Sequence, residues 1–125
     1  MILREGLGWR LAWEPSRGQF TVLVGGENWA FELTEFEWRD LVGLVSTLET
    51  QYCALKDQLM VEESIELELE RGEWWGCLAG DCQSWSLALV LTPRQGRGAE
   101  GFWPAPVAVA VVAAMKTLCG TPRID

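Results

Sequence analysis

The stretch Trp29-Ala-Phe-Glu-Leu-Thr34-Glu-Phe-Glu-Trp38 changes the spacing of its apolar residues within ten positions. As far as Leu33, apolar residues alternate with small or acidic ones, which is the period of a strand with one buried face. Thr34 and Glu37 then have the spacing of a capping box, in which each side chain accepts a hydrogen bond from a backbone N–H at the start of a helix. The stretch therefore predicts a strand that leads directly into a helix beginning at Thr34.

The residues after Trp38 continue the helical pattern. Apolar side chains recur at steps of four and three, at Leu41, Val45, Leu48, Tyr52, Leu55 and Leu59. Because these positions share one face, a single amphipathic helix is predicted from Thr34 to about Leu59. Its apolar face must be covered by the domain's own sheet, and a partner helix is a second possibility.

Two more strands are predicted before this stretch. Alternation over residues 9–13 and 20–24 has the period of half-buried strands. Residues 15–18 are rich in turn formers. Gly25-Gly26 suits a tight hairpin, because glycine accepts the positive φ that such turns need.

The second half of the chain follows the same order. Residues 65–70 and 85–91 alternate, and a shorter strand is predicted around residues 74–79. The last helix is expected to begin near Pro106, since proline is tolerated in a first turn, and to stop at Gly120. It is apolar nearly all round, which predicts burial on more than one side and a homo-oligomer contact through the helices.

These patterns predict an α+β fold. Three predicted strands precede the first helix, and three or four precede the second, with no linker composition between the halves. We therefore expect a single domain over residues 1–125, made of two ββββα-like repeats at about residues 1–60 and 61–125. An antiparallel sheet would be packed by two helices.

Charge and hydropathy limit the classes of partner. The 125 residues include 18 acids and 10 bases, for a net charge of −8. This charge repels nucleic acid at long range, so nucleic-acid binding is disfavoured without being excluded. Residues 1–8 lack the apolar stretch of a signal peptide, and the apolar run at residues 105–115 is too short to cross a bilayer. A cytoplasmic protein without a membrane partner is expected.

Residues that usually carry catalysis or bind metals are sparse. The four cysteines form no C-x-x-C pair and there is no histidine, which argues against a zinc site or a histidine-activated nucleophile. Glu66, Glu68 and Glu70 are expected on the solvated face of a strand, where they would not converge as metal ligands. Gly96-x-Gly98-x-x-Gly101 matches a dinucleotide pattern, but no helix follows it directly, so a flexible loop is expected. No enzyme activity, cofactor or metal is predicted.

Candidate contacts to a ligand or a nucleic acid centre on the loop from Arg94 to Trp103. Its arginines and glycines could bind a phosphate, a carboxylate or a base, and its tryptophan belongs to a set of eight that serves either packing or stacking on bases. The alternative is a solvated loop in which Glu100 pairs with an arginine. The candidate contacts are Arg10, Trp75, Arg94, Arg97, Glu100 and Trp103.

Several motifs extend over nearly the whole chain. They are Gly8-Trp-Arg-Leu-Ala-Trp13, Leu23-Val-Gly-Gly-Glu-Asn-Trp-Ala-Phe-Glu-Leu-Thr34, Glu37-Trp-Arg-Asp40, Glu62-Glu63 and Gly98-Ala-Glu-Gly-Phe-Trp-Pro104. Together they resemble a cyanobacterial family of small proteins of unknown function, and the resemblance departs at residues 74–83. It implies a fold like that of Whirly-type and transcriptional-coactivator single-stranded-DNA-binding domains, with two ββββα repeats and helices that mediate oligomer contacts. It transfers no site residue.

Three functions are consistent with these observations. The first is a non-enzymatic regulatory or protein-interaction module, acting on an unknown protein partner. The second is a single-stranded nucleic-acid binder, which the implied fold suggests and the net charge of −8 opposes. The third is a small-ligand binder that uses the loop from Arg94 to Trp103.

Overall fold

The computed structural model describes the backbone of residues 1–119 and the side chains of residues 1–118. Within this range the chain forms eight strands and two helices, in the order ββββαββββα. The elements are β1 Ile2–Gly6, β2 Trp9–Trp13, β3 Val22–Gly25, β4 Ala30–Leu33, α1 Glu35–Leu55, β5 Ile65–Arg71, β6 Trp74–Gly80, β7 Trp85–Leu91, β8 Ala99–Trp103 and α2 Val107–Cys119. Short 3-10 turns occupy Pro15–Arg17 and Lys56–Gln58.

The strands form two antiparallel sheets, each in chain order. One sheet contains β1 to β4 and the other contains β5 to β8. The predicted α+β class and the two ββββα repeats are therefore confirmed, and the predicted sheet is divided between the two repeats. Each repeat is a meander, in which every strand pairs with its neighbour in sequence.

The sequence did not indicate β1. Its residues pair with β2 from Ile2 opposite Trp13 to Gly6 opposite Trp9. The strand lies at an edge of its sheet, and only Ile2 is partly buried. An edge strand held by its backbone ladder needs no alternation of apolar side chains, so three strands rather than four were predicted before α1.

The predicted capping box begins α1. The Thr34 hydroxyl oxygen accepts a hydrogen bond from the Glu37 backbone N–H at 3.1 Å, and the Glu37 carboxylate accepts one from the Thr34 N–H at 2.9 Å. The helix ends at Leu55, earlier than the predicted Leu59. Leu55 is already 37% exposed, so this end of the helix has left the core, and Leu59 takes an extended backbone.

The apolar character of α2 is explained by contacts within one chain. The helix packs against β1 and β2 of the first sheet, β7 of the second sheet, and α1. Its buried side chains are Ala108, Val111, Val112, Met115 and Leu118, whereas Ala110 and Ala113 are exposed. The predicted stop at Gly120 lies outside the described residues. A homo-oligomer contact through the helices stays a prediction.

The two repeats share one core. Helix α1 follows the first sheet in sequence but packs mainly on β5 and β6 of the second. Gly76 on β6 permits this contact, because a Cβ atom there would lie 2.8 Å from the Leu44 Cδ2 atom. Helix α1 therefore covers the inner face of the second sheet, and the outer face of that sheet is not covered by α1. Among the described helices, none is long and apolar enough to cross a membrane.

Candidate interaction surface

The register of the second sheet sorts its side chains onto two faces. Residues directly opposite one another share a face. One row on the outer face is Glu70, Trp75, Val90 and Glu100, and the next is Glu68, Cys77, Ala88 and Phe102. The residues between these rows, such as Leu89, point into the core. Alternation within β5 to β8 thus builds a strip of apolar side chains between glutamates.

Aromatic side chains cover one end of this strip. Phe102 is 52% exposed. The Trp29 indole Nε1 donates a hydrogen bond to the Phe102 carbonyl at 3.1 Å. Its ring lies so close to β8 that a Cβ atom at Gly101 would be 2.6 Å from it. Gly101 shares the inward-facing row of Leu89, so its missing side chain leaves room on the core side of β8 for Trp29. The indole packs there against Phe31 and Trp103 and reaches the surface at the edge of the second sheet.

Three shallow depressions follow one another along this surface. The first, of about 220 Å³, is lined by Gly8, Glu27, Asn28, Trp29, Phe102, Pro104 and Val107. The second, of about 400 Å³, shares Trp29 and Phe102 with the first and reaches Trp75 across Ala88 and Val90. The third, of about 460 Å³, shares Trp75 and ends between Glu68 and Glu70. We call this continuous surface, with its apolar floor of Trp29, Trp75, Ala88, Val90 and Phe102, the outer groove.

Among the residues that the structure describes, the charged side chains lining the outer groove are all glutamates. These residues are Glu27, Glu68, Glu70 and Glu100. Within the part of the chain that the structure describes, none of the four takes part in an ion pair. The groove thus combines partly exposed apolar side chains with negative charge that no ion pair of the described residues neutralises.

Cys77 lies on the same face, between two of the strand glutamates. Burial, together with the nearby carboxylates of Glu66 and Glu68, raises the pKa of the Cys77 thiol. The thiol and the two carboxylates offer ligand atoms within 4.8 Å of one another, so the prediction that the β5 glutamates would not converge is wrong for Glu66 and Glu68. Because the raised pKa disfavours the thiolate form that metals bind, the arrangement is not preorganised for a metal ion.

Two of the predicted contact residues, Trp75 and Glu100, lie in the outer groove. They share one cross-strand row and are separated only by Val90. The structure does not bring the other four predicted residues to this surface. Arg10 lies on β2 of the first sheet, directly opposite Glu5.

Trp103 and Arg94 occupy different environments. Trp103 is fully buried, and its indole Nε1 donates a hydrogen bond to the Gly25 carbonyl at 3.0 Å. No face of its ring is left for a base or a ligand. Arg94 is exposed in the loop between β7 and β8, where its backbone N–H donates to the Glu73 carboxylate at 2.7 Å.

Arg97 joins its loop to the first repeat. Its guanidinium donates to the Glu32 carbonyl, forms an ion pair with the Glu37 carboxylate at 2.9 Å, and lies 4.4 Å from the centre of the Phe20 ring. Glu100 forms no ion pair within the described residues, in contrast to the predicted pairing with an arginine. Arg97 pairs instead with Glu37, the glutamate of the capping box. Arg97 therefore has a structural role, in which its Nη2 atom contacts both Glu32 and Glu37.

Sequence reasoning missed Val90 and Phe102 as residues of the groove, and it did not place the partly buried Trp29 at the edge of the second sheet. Val90 lies between Leu89 and Leu91 in the sequence, so alternation puts it on the other face of the strand from these leucines. This was the available signal that Val90 faces outward. The position of Trp29 depends on contact between the repeats, and the sequence of one repeat does not contain that information.

The fold and the outer groove together define an α+β module of two interlocked repeats with an open acidic face. Residues 4–118 match the family model of a domain of unknown function, DUF1818, and the chain belongs to this family. It is similar to a protein of unknown function from Prochlorococcus sp. NATL2A, assigned to the DUF155 family, whose crystal structure was determined at 1.80 Å resolution. The TM-score is 0.92 at 46% identity, over 95% of this chain and 99% of that one. A comparison with curated proteins gives no match.

Proposed function

We propose that this protein is a non-enzymatic module that binds a protein partner through the outer groove. The observation that carries the proposal is the continuous apolar floor between glutamates that have no ion-pair partner in the described residues. A contiguous exposed apolar surface with a polar rim is typical of protein-binding sites. Aromatic residues such as Trp75 and Phe102 are the side chains that most often dominate binding energy.

The charge of the groove opposes nucleic-acid binding. A base could stack on the Trp75 or Phe102 ring, but the phosphates beside it would meet the surrounding carboxylates. Nucleic-acid affinity depends mainly on cations that neutralise phosphates. Arg97, which the sequence offered for that purpose, is bound to Glu37 and to the Glu32 carbonyl.

A role as an enzyme or small-ligand binder has less support than protein binding. The glutamates of β5 are exposed, whereas a carboxylic acid that acts in catalysis usually lies in an apolar pocket. The loop from Arg94 to Trp103 has its aromatic ring buried and one arginine bound within the chain. Neither feature leaves a set of convergent polar groups for a small ligand.

Site-specific photo-crosslinking in cells tests the proposal. A photoreactive residue replaces Val90 in the groove, or Thr47 on the exposed side of α1 as a control. We expect a protein to be captured at position 90 only, and then to bind the purified chain with an affinity that Phe102→Ser weakens at least about tenfold. Phe36→Ser removes a phenyl ring that is 82% exposed outside the groove and should leave the affinity unchanged. Equal binding by the wild-type chain and Phe102→Ser would contradict the proposal.

Self-association through the helices is a separate proposal, which is based on the apolar sequence pattern of α2. The exposed positions Ala110 and Ala113 are the part of α2 that a second copy could cover. Light scattering on the purified chain tests it. The mass of two or more chains would support the helix contact, and the mass of a single chain at high concentration would rule it out.

A further inference from the structure

We infer that the outer groove binds an extended, positively charged segment of a partner protein, with one apolar side chain and one lysine or arginine as its two anchors. The inference rests on the proposed function and specifies the chemistry of the partner. The apolar anchor occupies the depression beside Trp29 and Phe102, and the cationic anchor lies against Trp75 between Glu68 and Glu70.

The apolar subsite is small and mostly hydrocarbon. Its volume is about 220 Å³, and Trp29, Phe102 and Val107 contribute its apolar lining. Small-molecule sites usually have volumes of about 300–1,000 Å³, so this depression suits a single side chain better than a free ligand. Glu27 and Asn28 lie at the rim of this depression, where they can form polar contacts with the backbone of the partner segment.

The cationic subsite combines an indole with two carboxylates. Trp75 is directly opposite Glu70 in the ladder, and Glu68 lies on the same face two residues along β5. These residues line one open depression. A guanidinium or ammonium group placed there contacts the aromatic ring and the carboxylates at the same time. Among the described residues, no lysine or arginine lines this depression, and neither Glu68 nor Glu70 forms an ion pair.

The distance between the subsites sets the spacing of the two anchors. Phe102 on β8 and Trp75 on β6 are two strands apart and one row apart. With about 4.8 Å between strands and about 6.6 Å between rows, the separation is roughly 12 Å. An extended chain that rises about 3.3 Å per residue covers this distance in about four residues, an even spacing that keeps both anchor side chains on the same side of the segment. The part of the partner segment between the two anchors passes over Val90 and Glu100. A further positively charged residue in that part of the segment is therefore favoured.

Charge decides between this occupant and the alternatives. A second copy that used the same face in a two-fold interface would place the carboxylates of one chain against those of the other. A nucleic acid would bring phosphates to the same groups. A cationic, apolar segment matches both the floor and the rim of the groove.

Binding of designed peptides to the full chain with isotopically labelled tryptophan provides the test. The probe is an otherwise Gly/Ser peptide with one Leu and one Arg, placed about four residues apart. The matched peptides carry Glu in place of Arg, or place the anchors next to each other. We expect the Leu/Arg peptide to shift the indole N–H signals of Trp29 and Trp75, with little change at the buried Trp103.

Paired carboxylate variants then test the cationic subsite. Glu68→Gln with Glu70→Gln should weaken binding of the Leu/Arg peptide about tenfold. Asp57→Asn with Glu62→Gln makes the same change in net charge at exposed positions outside the groove and should leave the affinity within about twofold. If both double variants bind alike, or if the Glu-containing peptide binds equally well, the inference of a cationic partner is wrong.

Phe102→Ser separates this inference from the proposed function. A peptide that loses affinity in Phe102→Ser but not in the Glu68 and Glu70 variant would leave the groove as a binding site and remove only the cationic anchor. If no peptide shifts Trp29 or Trp75, both proposals lose their support. If these signals instead shift with protein concentration alone, the groove binds a second copy, and the inference is overturned.

Discussion

The indole of Trp103, with no solvent exposure, donates a hydrogen bond to the backbone carbonyl of Gly25 at 3.0 Å. A reciprocal bond runs from the Trp29 indole to the Phe102 carbonyl at 3.1 Å. Each repeat therefore supplies a tryptophan that binds the backbone of the other. These bonds fix the edge of the second sheet against the first and so position the end of the outer groove that contains Phe102.

Removing the Trp103 donor should destabilise the whole domain. Trp103→Phe leaves a space beside a buried carbonyl that has lost its indole partner, and we expect the free energy of unfolding to fall by about 1–3 kcal/mol. Urea denaturation followed by circular dichroism measures the change. Trp75→Phe, on the outer face, is the matched control and should stay within about 0.5 kcal/mol of the wild-type chain. Equal stability of the two variants would show that the indole bond contributes little.

The capping box also has a measurable effect. Thr34→Ala removes the hydroxyl that accepts from the Glu37 N–H, so we expect a loss of about 1 kcal/mol in unfolding free energy. Thr50→Ala, on an exposed side of the same helix, serves as the control. Its hydroxyl donates to the Ser46 carbonyl within the helix, and its loss should change stability little. A Thr34→Ala variant as stable as the wild type would show that α1 does not depend on its cap.

The same substitution should have opposite effects at two glycines. A Cβ atom at Gly80 would lie 2.3 Å from the Ser84 carbonyl oxygen and 2.7 Å from the Trp85 Cα atom. Because these are backbone atoms, Gly80→Ala should cost more than about 2 kcal/mol. At Gly43 in α1 the nearest atoms belong to the exposed guanidinium of Arg71, which can move. Gly43→Ala should therefore stabilise the helix by about 0.5–1 kcal/mol, and thermal denaturation of both variants would reveal any departure from these signs.

The thiol of Cys77 should ionise at a higher pH in the folded chain than in the unfolded one. Its pKa is raised by burial and by Glu66 and Glu68. The protonated thiol of Cys77 therefore contributes stability that is fully present below the unfolded-state pKa. This stability is lost as the pH rises through the folded-state pKa. The pH profile of iodoacetamide alkylation, read for Cys77 by mass spectrometry with and without urea, measures the shift. Glu66→Gln with Glu68→Gln should move the folded profile to lower pH, and an unchanged profile would assign the shift to burial alone.

Much of the fold could be predicted because its signals are local. The capping box of Thr34 and Glu37 and the alternation of Ile65 to Glu70 each depend on residues close in sequence. The edge strand β1 could not be predicted in this way, since its ladder with β2 rather than burial of its side chains holds it in place.

The surface was harder to predict than the fold. Phe102 and Trp103 are adjacent aromatic residues at the end of a short strand that also contains a glycine, and composition does not show which ring faces inward. The register with Leu87 and Ala88 decides it. Likewise, Arg97 contacts Glu37, which is sixty positions away in the sequence. That Arg97 binds within the chain, and does not lie in the outer groove, follows only from how the two repeats pack together.

A direct comparison of ligands at low salt tests the central claim, that the open acidic face of the second sheet binds a cationic, apolar polypeptide segment. The full chain is titrated in parallel with the Leu/Arg peptide and with a single-stranded oligonucleotide of similar length. We expect the peptide to bind, with an affinity that falls as salt is added and that is lost in Phe102→Ser, and we expect no oligonucleotide binding. Tighter binding of the oligonucleotide than of the peptide would contradict the proposed function.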